Sequence, residues 1–471
     1  AGLGALWWAI HPLRAEPVAW VTGRIYTQCC LFLVSCFVTY LYANEARLKP
    51  GLRRGLYWTS VCCFVCSLLS YAIVVGAAVV ICLLDIYPLR RLPAGPERTW
   101  WKRAAWRVYL EKVPYFVVAL AVGLMTIWAR VNVKGLWNPP PTLAQFGLYP
   151  RLMQAFYSWA YYAAIPWRPF HLAPVYTQLV KFNPNGTIFW ISALVIVTVS
   201  LTVWRFHKRV PGLTVMWLYH LVMLVPLLGL TERPHYVNDR YGHMQGLVVA
   251  VGLAGLLAGL WRRYGTKHLV FLAGLAAEVM IILLGFLLCS VQVTIWKNSE
   301  TLFDHMIAEL GDDPYRSDIY WRLGSYRLQQ RQYAGAAEAA DQTLALVPNH
   351  PKALDVKIAA LQGMHDNPTL EGVLRTAILR QPKVEWFVLL NEVILEQGRG
   401  DEAIENLEGA LQRSPEVIPF RLLLAHILLQ QHQPEAAGGQ LRRILTQEPQ
   451  NAQARKMLDS LTGPATLPAI P

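Results

Sequence analysis

Two of the polar segments that interrupt the apolar first part of the chain carry the side chains best suited to chemistry. TERPHYVNDRYGH (231–243) offers Arg233, His235, Arg240 and His243. A guanidinium forks onto two phosphate oxygens, so Arg240, supported by Arg233 and His243, could hold a phosphate. It could equally pair with Asp239 or Glu232, or meet lipid headgroups. HPLRAEPVAWVTGR (11–24) offers His11, Arg14, Glu16 and Arg24. His11 and Glu16 could act as a base and its orienter, or as metal ligands. Their spacing in a Pro-containing loop is no specific ligand pattern, and a structural role bracing Arg24 is favoured.

The elements that must position these residues are membrane helices. The chain has 471 residues, 54% hydrophobic and only 15% charged, against about 25% charge in ordinary soluble proteins. Residues 1–296 hold 26 Lys/Arg and 8 Asp/Glu, while 297–471 hold 17 and 22. A basic membrane part therefore precedes a mildly acidic soluble part. The basic excess calls for membrane lipids as partners before any nucleic acid. All eight Cys lie inside apolar runs, none at a metal-ligand spacing with His, and read as packing residues.

Apolar runs long enough to cross about 30 Å of hydrocarbon fall at 25–43, 113–129, 187–204, 213–230, 244–260 and 269–292. The run at 56–87 has strongly basic flanks on both sides. If both flanks are cytoplasmic, it must be a tight helical hairpin turning near Ser70. The positive-inside rule assigns 44–55, 88–112, 205–212 and 261–268 to the cytoplasm, with 17 Lys/Arg, and leaves 9 on the segments outside. Both polar segments then face outward, 151–166 is an interfacial or re-entrant helix, and about eight spans result. Residues 1–10 read as the outer end of a further span, so the true N-terminus is expected upstream of Ala1.

After the last span, Pro348, Pro382, Pro415 and Pro449 recur at 34, 33 and 34 residues. That period belongs to the tetratricopeptide repeat, a helix-turn-helix unit whose second helix ends at Pro. Leu323, Gly324, Ala336 and Leu344 fit the packing positions of the first repeat, and Gly398, Ala403 and Ala410 those of the third. The second repeat keeps little beyond Ala377 and Pro382 and is expected to be the weakest. The expected domains are a membrane part (1–296), a connecting segment (297–316), four repeats plus a capping helix (317–462) and a flexible tail (463–471).

The segment HPLRAEPVAWVTGR resembles a loop of the transmembrane-and-tetratricopeptide-repeat proteins, O-mannosyltransferase-like members of the GT-C superfamily, and of their bacterial relatives. LLDIYPLRRL (83–92), YLEKVPYF (109–116), NDRYGHMQGL (238–247) and WKNSETLFDH (296–305) match in the same order. The resemblance implies an all-α fold, with a GT-C-like transmembrane bundle followed by a soluble tetratricopeptide-repeat solenoid. It also implies transfer of a sugar from a polyprenyl-phosphate carrier to a protein on the extracytoplasmic face. The leaving phosphate gathers charge in the transition state, so Arg240, Arg233, His243 and Arg24 become donor-binding candidates. The principal acid of such enzymes lies in an earlier loop, expected upstream of Ala1, with His11 and Glu16 as possible contributors. Where relatives tend to carry Asp near position 26 and Lys-Glu after the hairpin Ser, this chain has Tyr26 and Tyr71-Ala72. The closest look is bacterial, which places the repeats in the periplasm; in a eukaryote they would lie in the endoplasmic reticulum lumen.

Two ionisable residues lie in or beside the spans. Glu278 is expected to hydrogen-bond a neighbouring helix, and Asp85 to form an inner-interface ion pair with Arg90 and Arg91. No phosphate-cradling or dinucleotide Gly motif, zinc motif or nucleophile elbow occurs, so neither cofactor nor metal is implied. The competing reading is a non-catalytic membrane-anchored scaffold whose repeats dock partner proteins.

Overall fold

The computed structural model describes residues 2–45, 48–92, 103–132, 142–179, 182–230, 237–265 and 268–462, and these are all-helical, without strands. Arg233, His235, part of the Pro-rich loop after Trp137, and the 463–471 tail lie outside the described residues. The chain divides into two compact units, Ala1–Asp313 and Pro314–Pro471.

The first unit contains α1 (Gly2–Ile10), α2 (Ala15–Ala19), α3 (Arg24–Ala43), α4 (Pro50–Ser70), α5 (Ala77–Ile86), α6 (Arg103–Leu110) and α7 (Val113–Asn132). It continues with α8 (Leu148–Ala164), α9 (Thr187–Phe206), α10 (Pro211–Leu224), α11 (Gly242–Tyr264), α12 (His268–Ile295) and α13 (Ser299–Leu310). Among the described residues, five stretches are long and apolar enough to cross a membrane: Val21–Ala43, Ala105–Ala129, Thr187–Phe206, Asp239–Tyr264 and His268–Ile295. A count of eight requires α4 and the shorter apolar stretches Ala72–Ile86 and Pro211–Leu227 as well.

The run at 56–87 does break at Ser70. Tyr71 is extended, and a 3-10 turn at Ala72–Gly76 leads into α5. The chain reverses here: α4 runs antiparallel to α3, with Ser67 Oγ donating to Cys29 O and Ser60 Oγ to Cys36 O, both at 2.8 Å. Such small polar side chains let helices approach closely in an apolar medium. α5 then returns to the opposite end of α3, where Tyr40 Oη donates to Asp85 at 3.0 Å.

Asp85 is fully buried and lies 2.7 Å from Lys112 Nζ and 3.1 Å from Arg91 Nη1, while Arg91 reaches Glu111 at 2.6 Å. The expected ion pair thus forms with Arg91 and Lys112. Arg90 instead lies over the Tyr87 ring.

α13 falls in the expected connecting segment. Asn298 and Thr301 form a capping box at its start, and His305 Nε2 lies 2.8 Å from Leu172 O. Glu309 meets His171, and Asp313 accepts from Thr177 Oγ1, so 297–313 is built into the first unit.

The second unit is a tetratricopeptide-repeat solenoid. Four helix pairs follow one another: α14 (Arg316–Gln329) with α15 (Tyr333–Leu346), and α16 (Pro351–Met364) with α17 (Asn367–Arg380). Then come α18 (Val384–Glu396) with α19 (Gly400–Arg413), α20 (Ile418–Gln430) with α21 (Pro434–Gln447), and a closing α22 (Ala452–Thr462). Gly324 packs close to Ala336 O and Val356; a Cβ there would sit 3.2 Å from each. The second repeat, expected to be the weakest for want of small packing residues, does contain them. It has full-length helices and supplies its own small residues, since Ala353 and Ala360 are fully buried, and Asp366 caps α17 through Thr369 N–H.

Candidate functional site

The two polar segments fold against each other at the end of the bundle opposite Asp85. In the first, His11 accepts from Leu13 N–H and so caps a 3-10 turn at Pro12–Arg14, whose Pro lacks the N–H that a first turn leaves unused. α2 carries Glu16, and the chain doubles back at Gly23, where a Cβ would stand 3.2 Å from Pro17 O and 3.3 Å from Glu16 O. In the second, Asn238 N–H donates to Tyr162 Oη, and a 3-10 turn at Asp239–Tyr241 leads into α11.

Arg240 joins the two. Its Nη1 lies 2.7 Å from Glu16 Oε1 and its backbone N–H donates to Glu16 Oε2 at 2.8 Å. The guanidinium lies over the rings of Trp20 and Tyr241, 5.5 and 5.1 Å from their centroids. Of the expected partners, Asp239 bonds Tyr161 and Tyr176 instead, and Glu232 lies outside the described residues. Glu16, in turn, does not brace Arg24, which is exposed at the start of α3. Burial pushes the Glu16 carboxyl above its ordinary range and Arg240 pulls it back.

Asp239, missed as a site residue in its own right, is 3% exposed. Tyr176 Oη donates to its Oδ1 at 2.7 Å and Tyr161 Oη at 3.2 Å. Its position beside Arg240 in a polar segment was a readable signal; the phenols, from distant parts of the chain, were not.

Arg14 is buried and carries no carboxylate partner among the described residues. It donates to Trp8 O and Gly242 O, lies over the Trp8 ring, and leaves Nη2 unpaired. His243, 2% exposed, packs its ring on Trp8 with both nitrogens unpaired. His11 has a different place. Its Nε2 lies 3.0 Å from Pro166 O while Nδ1 accepts from Leu13, so neither nitrogen is left for Glu16 or for a metal. Burial, with Arg14 nearby, lowers its pKa to about 4.

Tyr26 and Tyr71, the two positions that depart from the resembled pattern, touch. Their rings meet edge-on at 4.9 Å, and Tyr241 lies 6.1 Å from Tyr26. Glu278 has no hydrogen-bond partner among the described residues. It lines a largely apolar groove with Leu3, Trp261 and Phe271 in place of the expected helix-to-helix hydrogen bond.

A tetratricopeptide-repeat family model matches residues 395–461. None of the curated proteins matches the chain. Among solved structures, the chain is similar to a thermophilic tetratricopeptide-repeat protein of Thermus thermophilus, at 19% identity and TM-score 0.26, over 36% of this chain and 94% of that one. A tetratricopeptide-repeat protein of Parabacteroides merdae matches at 13% identity and TM-score 0.26, over 57% and 98%. Yeast Tom70 matches at 12% and TM-score 0.27, over 90% and 83%. The repeats make the second unit a module for protein–protein contact.

Proposed function

We propose that the first unit handles a sugar carried on polyprenyl phosphate at the extracytoplasmic face of a membrane, periplasmic in a bacterium, and that the repeats hold the acceptor protein. The observation that carries this reading is the buried cluster of Glu16, Asp239 and Arg240, with Arg14 and His243 close by in the chain. Charge buried in a membrane protein is costly and marks function by default. Arg240 keeps part of its surface exposed beside Trp20 and Tyr241, where an incoming phosphate would compete with Glu16 for the guanidinium. The starts of α3 and α11, which carry Arg24 and His243, would flank the donor, with Arg233 as the further cation expected for it.

A second reading, a membrane-anchored scaffold that docks partner proteins, is favoured by the same ion pair, because Glu16 already neutralises Arg240. Transfer of radiolabelled sugar from polyprenyl phosphate to repeat-bound protein, in native membranes, separates the two. Arg240→Ala should abolish most transfer while Arg263→Ala, at the other end of α11, transfers normally. No transfer by the unaltered protein, with partners still bound by the repeats, selects the scaffold.

A further inference from the structure

At the end of the bundle that carries Asp85, a cavity of about 250 Å3 opens between the end of α3 and the start of α4, lined by Ala43, Asn44, Pro50, Arg53, Arg54, Tyr57 and Glu111. Its charge is unbalanced. The two acids nearby, Asp85 and Glu111, are matched by Arg91 and Lys112, at 2.6 to 3.1 Å for the close pairs. Arg53 and Arg54 remain as a surplus of two, without a carboxylate partner among the described residues. Glu45, just past α3, does not line the cavity.

The backbone adds to this surplus. α4 begins at Pro50 after Lys49, which provides no side-chain cap; Pro50 has no N–H and Arg53 N–H donates to Lys49 O, so the Gly51 and Leu52 N–H groups are left at the positive end of the helix. At Gly51 and Gly55 nothing lies within 4 Å of an added Cβ, so the approach to this turn is open. Tyr57 Oη donates to Glu111 O, and Trp58 beside it is half exposed. Amphipathic rings of this kind favour headgroup level, which would put the cavity at that depth.

We infer that this cavity binds a phosphate diester, held by Arg53, Arg54 and the first turn of α4, and that its source is the headgroup of an anionic phospholipid. A guanidinium pair grips phosphate oxygens in fork geometry, and basic pockets between helices on the cytoplasmic side suit such headgroups. A free phosphoester shares this chemistry but not the membrane depth.

The test uses the whole protein in phosphatidylcholine nanodiscs doped with spin-labelled phosphatidylglycerol or spin-labelled phosphatidylcholine. The unaltered protein should immobilise the anionic label in preference. Arg53→Gln with Arg54→Gln should weaken that binding about thirtyfold, as expected for two interfacial cations, and each single change about fivefold. Lys at both positions should keep only part of it, since a point charge cannot fork across two phosphate oxygens, and Arg205→Gln with Arg209→Gln, on another basic segment, should keep all. Thermal unfolding checks that the double variant folds; if it does not, the single changes decide. Equal loss in the Arg205/Arg209 pair, or no loss in the Arg53/Arg54 variants, overturns the site. Displacement of the label by inorganic phosphate overturns the lipid as its source.

Discussion

Glu16 takes both the guanidinium and the backbone N–H of Arg240, at 2.7 and 2.8 Å, across 224 positions of sequence. One carboxylate thereby fixes the start of α11 against the segment before α3. The pair is largely buried, with side-chain exposures of 5% for Glu16 and 20% for Arg240. In that setting the energy lies less in the attraction than in the cost of leaving either charge alone.

Arg240→Met should therefore destabilise the first unit by about 3 kcal/mol or more, because Glu16 is left buried and uncompensated. Adding Glu16→Gln should recover a large part of the loss. Unfolding midpoints in detergent measure both. A double variant as unstable as the sum of the singles would mean the two side chains act independently.

His11 sets a pH dependence. Its folded pKa, about 4, lies below the ordinary 6.5, so between these values the unfolded chain binds more protons. Stability from this group is present above pH 6.5 and is lost as pH falls toward 4, by roughly 3 kcal/mol at most. Glu16, pushed upward by burial, acts in the opposite sense. The informative quantity is thus the difference between the unaltered protein and His11→Gln, whose unfolding midpoint should be the less sensitive to acid over that range. Parallel curves for the two proteins would remove His11 as the source.

Much of this architecture was legible because its signals are periodic. The four Pro residues mark the ends of α15, α17, α19 and α21, and basic flanks on both sides of 56–87 forced the break found at Ser70. The site was legible only as two polar segments. Nothing in either one said that Glu16 would choose Arg240 over Arg24, since that choice depends on how the segments pack. Tyr161 and Tyr176 reach Asp239 from outside both segments and left no pattern there. The small residues of the second repeat were misjudged because Ala353 and Ala360 fall outside the positions used to align it, yet face the same core.

Gly76 tests the hairpin. An added Cβ would lie 2.6 Å from Val222 O of α10, and a backbone oxygen cannot turn aside as a side chain does. Gly76→Ala should cost about 1–3 kcal/mol or more by forcing α5 and α10 apart. Gly123→Ala, where nothing lies within 4 Å, should be neutral or gain about 0.5–1 kcal/mol from helix propensity. Similar unfolding midpoints for the two variants would place the close approach elsewhere.

The solenoid should separate buried packing from surface charge. Leu424 in α20 is fully buried in a core that includes Leu407 and Ala437, so Leu424→Ala should cost about 2–5 kcal/mol. Arg375 bonds Glu371 at 2.8 Å and Glu402 at 2.6 Å, and Arg399 meets the same two acids. Apart from Glu371 that ring is largely open to solvent, so Arg375→Ala should cost less than about 1 kcal/mol, and less again in high salt. Each repeat leans only on its neighbours, so the Leu424 loss should be local. Residues 314–462 contain no Cys and can be expressed alone for hydrogen exchange. Leu424→Ala should lower protection from α18 onward while α14 and α15 keep theirs. Uniform loss across all four repeats would show instead that the unit unfolds as one body, and the nearest-neighbour account of its stability would have to be given up.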